Sequence, residues 1–120
     1  MAENNKDLKQ LKIKTAALKR IQKEFFGYQK EELKQNERIQ KLKNQNVDEA
    51  DIKKQEEVLQ ETVQMYPNII GRLVESVNDL QVWLDGKLND PLIDTSEEKT
   101  KALEAITEAQ DFLKANNPAQ

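Results

Sequence analysis

One uninterrupted helical pattern, LKIKTAALKRIQKEFFGYQKEELKQNERIQKL at residues 11–42, decides the fold of this sequence. In a heptad frame two positions of every seven face a partner helix, and here seven of the ten such positions are apolar: Leu11, Leu18, Ile21, Phe25, Tyr28, Ile39 and Leu42. Lys14, Glu32 and Gln35 are the polar exceptions. The spacing predicts a helix over about residues 5–44 that packs along a second helix.

A second helix is predicted over residues 48–85. Asp48 is a suitable N-cap residue, because its carboxylate can accept a hydrogen bond from the first turn. Pro67 lies inside the segment and has no backbone N–H to donate. Because the apolar stripe keeps the same phase from Tyr66 to Leu73, the pattern predicts one helix with a kink at Pro67.

A third helix is predicted over residues 95–115. The apolar face of the second helix widens after Pro67, which indicates that another element covers it. Thr95 and Glu98 have the spacing of a capping box, and residues 86–94 form the connecting loop. Short connections favour antiparallel neighbours. The sequence therefore predicts a single all-α domain over residues 1–120, an elongated antiparallel three-helix bundle resembling a coiled-coil rod.

The composition excludes several classes of function. The sequence contains no cysteine and no histidine, which removes thiolate and imidazole nucleophiles, general bases and metal ligands. Its three glycines are too scattered for a phosphate-binding loop. Charged residues make up 34% of the chain, and no apolar run exceeds three residues. We therefore expect neither an enzyme nor a cofactor or metal site, and neither a signal peptide nor a membrane contact.

The charge is unevenly distributed along the chain. Residues 1–44 carry a net charge of +6, residues 45–86 carry −6 and residues 87–120 carry −3. Complementarity between the first two helices explains this difference, and attraction of an acidic partner is the alternative. The lysine cluster of the first helix could also contact nucleic acid. The overall net charge of −3 and the lack of aromatic residues among these lysines disfavour that interpretation.

Two further groups of residues are candidate sites. Phe26 and Leu33 are seven residues apart and lie off the main apolar seam, so they could form a docking patch. Oxygen-bearing side chains gather around the second connection, but their spacing does not follow a calcium-binding loop. These residues are Asp85, Asn89, Asp90, Asp94 and Glu97. We attribute them to turn formation and helix capping.

Several short stretches of the sequence resemble the tubulin-folding cofactor A family, also called tubulin-specific chaperone A. The matching stretches are L-K-I-K-T (11–15), L-K-R-I (18–21) and Tyr28 in the first helix, D-I-K-K-Q (51–55) and E-V-L-Q-E (57–61) at the start of the second, and Met65, Pro67, Arg72, Leu73, Asp79 and Leu80 beyond them. The resemblance covers residues 8–85 and weakens after Gly86. Gly27 and Trp83 depart from the family pattern.

The resemblance implies a cytoplasmic, cytoskeleton-associated chaperone with three helices. Such a protein binds a β-tubulin folding intermediate after its release from the cytosolic chaperonin and holds it until other tubulin-folding cofactors assemble the αβ-tubulin heterodimer. It uses no nucleotide and no metal. Both a monomer and a homodimer are compatible with the sequence. The competing hypothesis is a coiled-coil adaptor or assembly subunit of a larger complex with no role in tubulin folding.

Family members are thought to bind through helix faces rather than loops. The matched positions give candidate partner-binding residues, and the apolar pair Phe26 and Leu33 is added to them because it lies off the main seam. The full set is Lys12, Lys14, Lys19, Arg20, Phe26, Leu33, Lys53, Lys54 and Glu57.

Overall fold

A computed structural model describes residues 2–116 of the chain, with the side chains of residues 6–116. Its elements are α1 (Ala2–Asn44), α2 (Glu49–Val63), α3 (Tyr66–Asp85), α4 (Pro91–Asp94) and α5 (Glu97–Asn116). There is no strand within residues 2–116, so the prediction of an all-α fold is confirmed.

The connection between α1 and α2 is a Schellman turn. The Val47 N–H donates to the Leu42 carbonyl (3.5 Å) and the Asn46 N–H donates to the Lys43 carbonyl (3.4 Å). Asn46 has a φ of 54°, in the left-handed region that asparagine tolerates better than most residues. The Asp48 side chain then accepts from the Ala50 N–H, so it is the N-cap of α2. These local signals close one helix and start the next within four residues.

The structure contains two helices where the sequence predicted one helix kinked at Pro67. Residues 64–65 form a turn that separates α2 from α3. The Met65 N–H donates to the Thr62 carbonyl at 3.1 Å, a tightened bond that closes the last turn of α2. Pro67 is the second residue of α3, where a helix does not need its N–H. The proline therefore starts a new helix instead of bending a continuous one.

The start of α5 also differs from the prediction. Ser96, rather than Thr95, caps the helix, because its hydroxyl oxygen accepts from the Lys99 N–H at 3.1 Å. The Thr95 hydroxyl instead donates to the Pro91 carbonyl at 2.8 Å. The predicted pairing of Thr95 with Glu98 is therefore wrong by one residue, since α4 uses the threonine at its own end.

The predicted loop at residues 86–94 contains the single-turn helix α4. Asp90 is its N-cap and accepts from the Leu92 N–H at 3.0 Å. Pro91 occupies the first turn, which suits its fixed φ and missing donor. Ile93 is 1% exposed, so this turn anchors the connection in the apolar core.

The chain divides into two compact units, to which α1 and α3 both contribute. The terminal unit comprises residues 1–22 and 70–120, and the central unit comprises residues 23–69.

The terminal unit contains most of the buried apolar residues. Those that the structure describes are Leu11, Leu18, Leu73, Val77, Leu80, Leu84, Ile93, Ala102, Ala105, Ile106, Ala109, Phe112 and Leu113. The three alanines lie at helical spacing on α5. Such small residues let a helix approach its neighbours closely.

The central unit is more thinly covered. Its buried residues are Phe25, Gln35, Ile39 and Ile69, and one of these four is polar. No residue of α2 is buried, although all of its residues are described. Every side chain of α2 therefore remains at least partly open to water.

Candidate partner-binding surface

The three polar exceptions in the α1 apolar seam all have partners on another helix. In the terminal unit, Lys14 Nζ lies 2.8 Å from Asp79 Oδ2 of α3. The Lys14 side chain is 24% exposed and the Asp79 side chain 62%. Lys14, one of the predicted partner-binding residues, is therefore held in an ion pair within the protein and contributes little to the free positive charge of α1.

Gln35 of α1 forms two hydrogen bonds with Gln55 of α2. Its Nε2 donates to the Gln55 carbonyl at 2.9 Å and to Gln55 Oε1 at 2.8 Å. Gln35 is 7% exposed, so its amide would lose hydrogen bonds with water without compensation if this partner were absent. The pair fixes the register of α1 against α2 within the central unit.

Glu32 accepts a hydrogen bond from the third partner, Tyr66. The Tyr66 hydroxyl donates to Glu32 Oε2 at 2.9 Å, and its ring lies 4.7 Å from that of Phe25. Burial, together with the hydrogen bond to Glu32 and the negative charge of that carboxylate, raises the pKa of Tyr66 to about 12. The phenol therefore remains protonated, and remains a donor, well above neutral pH.

Three candidate cations on α1 are free of intramolecular pairing. Lys12, Lys19 and Arg20 are exposed, and none of them forms an ion pair or hydrogen bond with a residue that the structure describes. Lys12 and Lys19 are seven residues apart and so lie on the same side of the helix. No carboxylate within the described part of the chain neutralises these three cations through an ion pair.

The candidates on α2 and the apolar candidates on α1 all lie in the central unit. Lys53, Lys54 and Glu57 are exposed. Phe26 is 44% exposed and Leu33 63%, and their spacing places them on one side of α1. The structure thus leaves all five side chains accessible at the surface of the central unit.

A groove that the sequence pattern did not predict lies between α1 and α5 in the terminal unit. It has a volume of about 480 Å³. Its lining residues are Lys12, Thr15, Ala16 and Lys19 from α1 and Glu97, Glu98 and Lys101 from α5. The family resemblance weakened after Gly86, so no α5 residue was a candidate. The signal that could have identified the groove is Ala16, an exposed small residue between two lysines.

Asp90 and Asp94, two of the oxygen-bearing residues around the second connection, have structural partners. Asp90 caps α4, and Asp94 pairs with Lys99 at 2.5 Å. No group of three or more histidine, cysteine, aspartate or glutamate residues that could hold a metal ion is found in the described part of the chain. Capping and ion pairing account for the two aspartates.

Trp83 and Lys87 hold this connection close to the start of α1. Lys87 Nζ lies 3.1 Å from Asp7 Oδ2 and 5.5 Å from the centre of the Trp83 ring. A cation can interact favourably with both the carboxylate and the aromatic face. Trp83, which departs from the family pattern, therefore has a structural contact within the terminal unit.

None of the helices within residues 2–116 combines the length and apolar character needed to cross a membrane.

A sequence profile of the family described as "Tubulin binding cofactor A" matches residues 6–106. The match continues past Gly86 through α4 and into α5, further than the sequence resemblance indicated. The human protein named "Tubulin-specific chaperone A" is 39% identical over 95 residues, which cover 79% of this chain and 85% of the relative. The Saccharomyces cerevisiae protein of the same name is 41% identical over 105 residues, covering 87% and 93%.

Solved structures have the same fold. The structure of Rbl2p, described as a β-tubulin binding post-chaperonin cofactor, matches with a TM-score of 0.74 at 39% sequence identity. The match covers 88% of this chain and 98% of Rbl2p. The crystal structure of tubulin folding cofactor A from Arabidopsis thaliana also has a TM-score of 0.74, at 30% identity, with coverage of 88% of this chain and 96% of that one.

Proposed function

The chain belongs to the tubulin binding cofactor A family, and from this premise we propose that it is a tubulin-folding chaperone. It captures a β-tubulin folding intermediate and stabilises it before the αβ-tubulin heterodimer assembles. The observation that carries the proposal is the similarity, over 88% of the chain, to a cofactor described as binding β-tubulin. The chain is not an enzyme, because its family consists of tubulin-binding cofactors.

Capture proceeds by docking of the client on preformed helix faces. Lys12, Lys19 and Arg20 offer unpaired positive charges on α1. A rigid helix loses little conformational entropy on binding, so more of the contact energy becomes affinity. Positive charges at the rim of a contact also accelerate association with a client of opposite charge.

The central unit supplies a second set of contacts. Phe26 and Leu33 provide exposed apolar area, which suits a partly folded client that has not yet buried its own apolar residues. Lys53, Lys54 and Glu57 on α2 provide both signs of charge. These contacts are expected to add specificity to the attraction supplied by α1.

The cellular setting follows from the same proposal. The protein acts in the cytoplasm in association with the cytoskeleton, and the other tubulin-folding cofactors are indirect partners that receive the client. Light scattering of the free protein distinguishes a monomer from a homodimer.

Size-exclusion chromatography with newly released β-tubulin tests the proposal, with α-tubulin in parallel. We expect a discrete, stoichiometric complex with β-tubulin alone. The absence of a complex with either tubulin, from a protein that circular dichroism shows to be helical, would contradict the proposal and favour the adaptor hypothesis.

The variant Lys12→Glu/Lys19→Glu tests which face binds. We expect weaker capture than with the control Lys34→Glu/Lys41→Glu, which makes the same charge change at two exposed α1 positions outside the candidate set. Lys14→Glu is unsuitable here, since it would place a second carboxylate beside Asp79 and disturb the fold. Equal capture by the double variant and the control would remove this face from the proposal.

A further inference from the structure

The groove between α1 and α5 has an uncharged floor and charged walls. Thr15 is 8% exposed, and its hydroxyl already donates to the Leu11 carbonyl at 2.8 Å. Ala16 is exposed and carries only a methyl group. The floor therefore has no free side-chain hydrogen-bond donor, and recognition of an anionic group at this groove depends on the charges along its walls.

The α1 wall presents two free cations at a fixed spacing. Lys12 and Lys19 line the groove and have no ion-pair partner among the described residues. Seven residues of α-helix correspond to a rise of about 10.5 Å. Two carboxylates of a bound chain separated by about three extended residues would match that spacing.

The α5 wall presents a third cation that is readily released. Lys101 Nζ lies 3.6 Å from Glu97 Oε1 one turn away, and the two side chains are 61% and 77% exposed. An exposed pair of this kind contributes little stability, because water and salt screen it. An incoming carboxylate can therefore replace Glu97 as the partner of Lys101.

Glu98 opposes an acidic occupant. It lines the same wall, is half-buried and forms no ion pair with a described residue. Its charge disfavours a second carboxylate nearby, so the groove discriminates between acidic segments by the position of their charges.

We propose that this groove binds an acidic polypeptide segment of the protein client, with carboxylates on Lys12, Lys19 and Lys101. The inference rests on the proposed function, in which the client is tubulin, and it assigns α5 a direct part in binding. The charge pattern makes the groove specific: removal of Lys101 weakens binding, whereas removal of the Glu98 charge strengthens it.

Fluorescence anisotropy with a labelled eight-residue peptide of alternating pairs of glutamate and alanine tests the groove. We expect Lys101→Glu to weaken binding about fivefold and Glu98→Gln to strengthen it about twofold, as charge contacts of this exposure allow. The matched control is Lys114→Glu, which makes the same charge change on an exposed residue of α5 outside the groove. Circular dichroism verifies that each variant is folded.

Equal effects of Lys101→Glu and Lys114→Glu on peptide affinity would overturn the proposal. They would show that the peptide responds to the net charge of the protein and not to the groove. Weaker binding by Glu98→Gln would overturn it as well. So would tight binding of a labelled single-stranded RNA of the same length without binding of the peptide.

Capture of β-tubulin by the same variants separates this inference from the proposed function. Capture by the wild-type protein and reduced capture by Lys101→Glu would support both. Equal capture by the wild-type protein and Lys101→Glu would overturn the groove as a client site while supporting the chaperone function. No capture by the wild-type protein would contradict the function, and the peptide titration would then decide the groove alone.

Discussion

The terminal and central units use different means to fix their helices. In the terminal unit, Leu11, Leu18, Leu73 and Leu80 are fully buried, and α5 adds a row of buried alanines. In the central unit, α2 buries no residue completely. The comparison indicates that apolar burial stabilises the terminal unit, whereas matched polar pairs define the register of the central one.

The polar pairs explain how a thin unit can still be specific. Gln35 and Gln55 satisfy each other only in one register of α1 against α2, and Tyr66 with Glu32 requires a matching position on α3. A purely apolar seam of two helices can slide by a heptad with little penalty, while a buried amide without a partner is unfavourable by about 1–3 kcal/mol. The polar residues therefore make the unit less stable than apolar residues would, but they permit only one alignment of its helices.

The largest expected difference between the units is in the penalty for a cavity. Leu73→Ala removes a fully buried side chain of the terminal unit and should destabilise the protein by about 3 kcal/mol. Leu59→Ala on α2 removes a half-buried side chain of the central unit and should reduce stability by about 1 kcal/mol. Urea denaturation followed by circular dichroism measures both. Equal losses would contradict the contrast between the units.

Stability should also fall at alkaline pH, by less than the loss from a large cavity. The pKa of Tyr66 is raised from 10.0 to about 12 in the folded protein, so the folded state holds this proton more tightly than the unfolded state. The resulting stabilisation is complete below pH 10 and is lost as the pH rises to 12, on the order of 2 kcal/mol in total.

Urea denaturation between pH 9 and pH 12 tests this dependence, with Tyr66→Phe as the variant that lacks the titrating group. A background of Tyr28→Phe leaves one tyrosine, so the ultraviolet absorbance of its ionised phenol reports the pKa directly. An identical loss of stability in Tyr66→Phe would show that other groups cause it.

A smaller effect is expected from the amide pair. Gln35→Ala should destabilise the central unit by about 1–2 kcal/mol, because it removes a buried donor and leaves the Gln55 acceptors without it. Gln40→Ala is the control, since Gln40 is exposed on the same helix. Hydrogen exchange of α2 amides localises the effect, and unchanged exchange there would argue against a role of the pair in holding α2.

The smallest predicted effect is the gain in stability when a helical glycine is replaced by alanine, and it should be the same in both units. A Cβ atom added at Gly27 in α1 or at Gly71 in α3 meets nothing within 4 Å, and neither glycine has a positive φ. Alanine at either position should stabilise the protein by about 0.5–1 kcal/mol, because it reduces the freedom of the unfolded chain. Thermal denaturation measures each variant. A gain at one glycine and a loss at the other would show an effect of packing instead.

The heptad frame of α1 predicted the apolar seam well because it depends on residues of one helix. Leu11, Leu18, Phe25 and Ile39 are buried as expected, whereas the other three apolar positions of the frame, Ile21, Tyr28 and Leu42, are half-buried. The same frame identified Lys14, Glu32 and Gln35 as exceptions without identifying their partners. Those partners depend on the register between helices, which the period of a single helix does not contain.

The errors at helix ends have local causes. Pro67 permitted either a kink or a new helix, and the phase of the apolar stripe favoured the kink. The choice depended on the bond that closes α2 at Thr62 and Met65. At α5, Thr95 and Ser96 are both good caps, and the short helix α4 ending at Thr95 decided between them.

The candidate surface was predictable in part. Exposure of Lys12, Lys19 and Arg20 follows from their place outside the seam. The pairing of Lys14 with Asp79 and the groove wall formed by Glu98 and Lys101 could not be predicted, because both depend on contacts between helices.

Site-directed photocrosslinking tests most directly the claim that the protein binds β-tubulin through its helix faces. Because the sequence contains no cysteine, each single variant Lys19→Cys, Lys53→Cys and Lys114→Cys carries a benzophenone label at one position only. We predict crosslinks to captured β-tubulin from positions 19 and 53 and none from position 114. Capture of β-tubulin with no crosslink from position 19 or 53 would contradict the account.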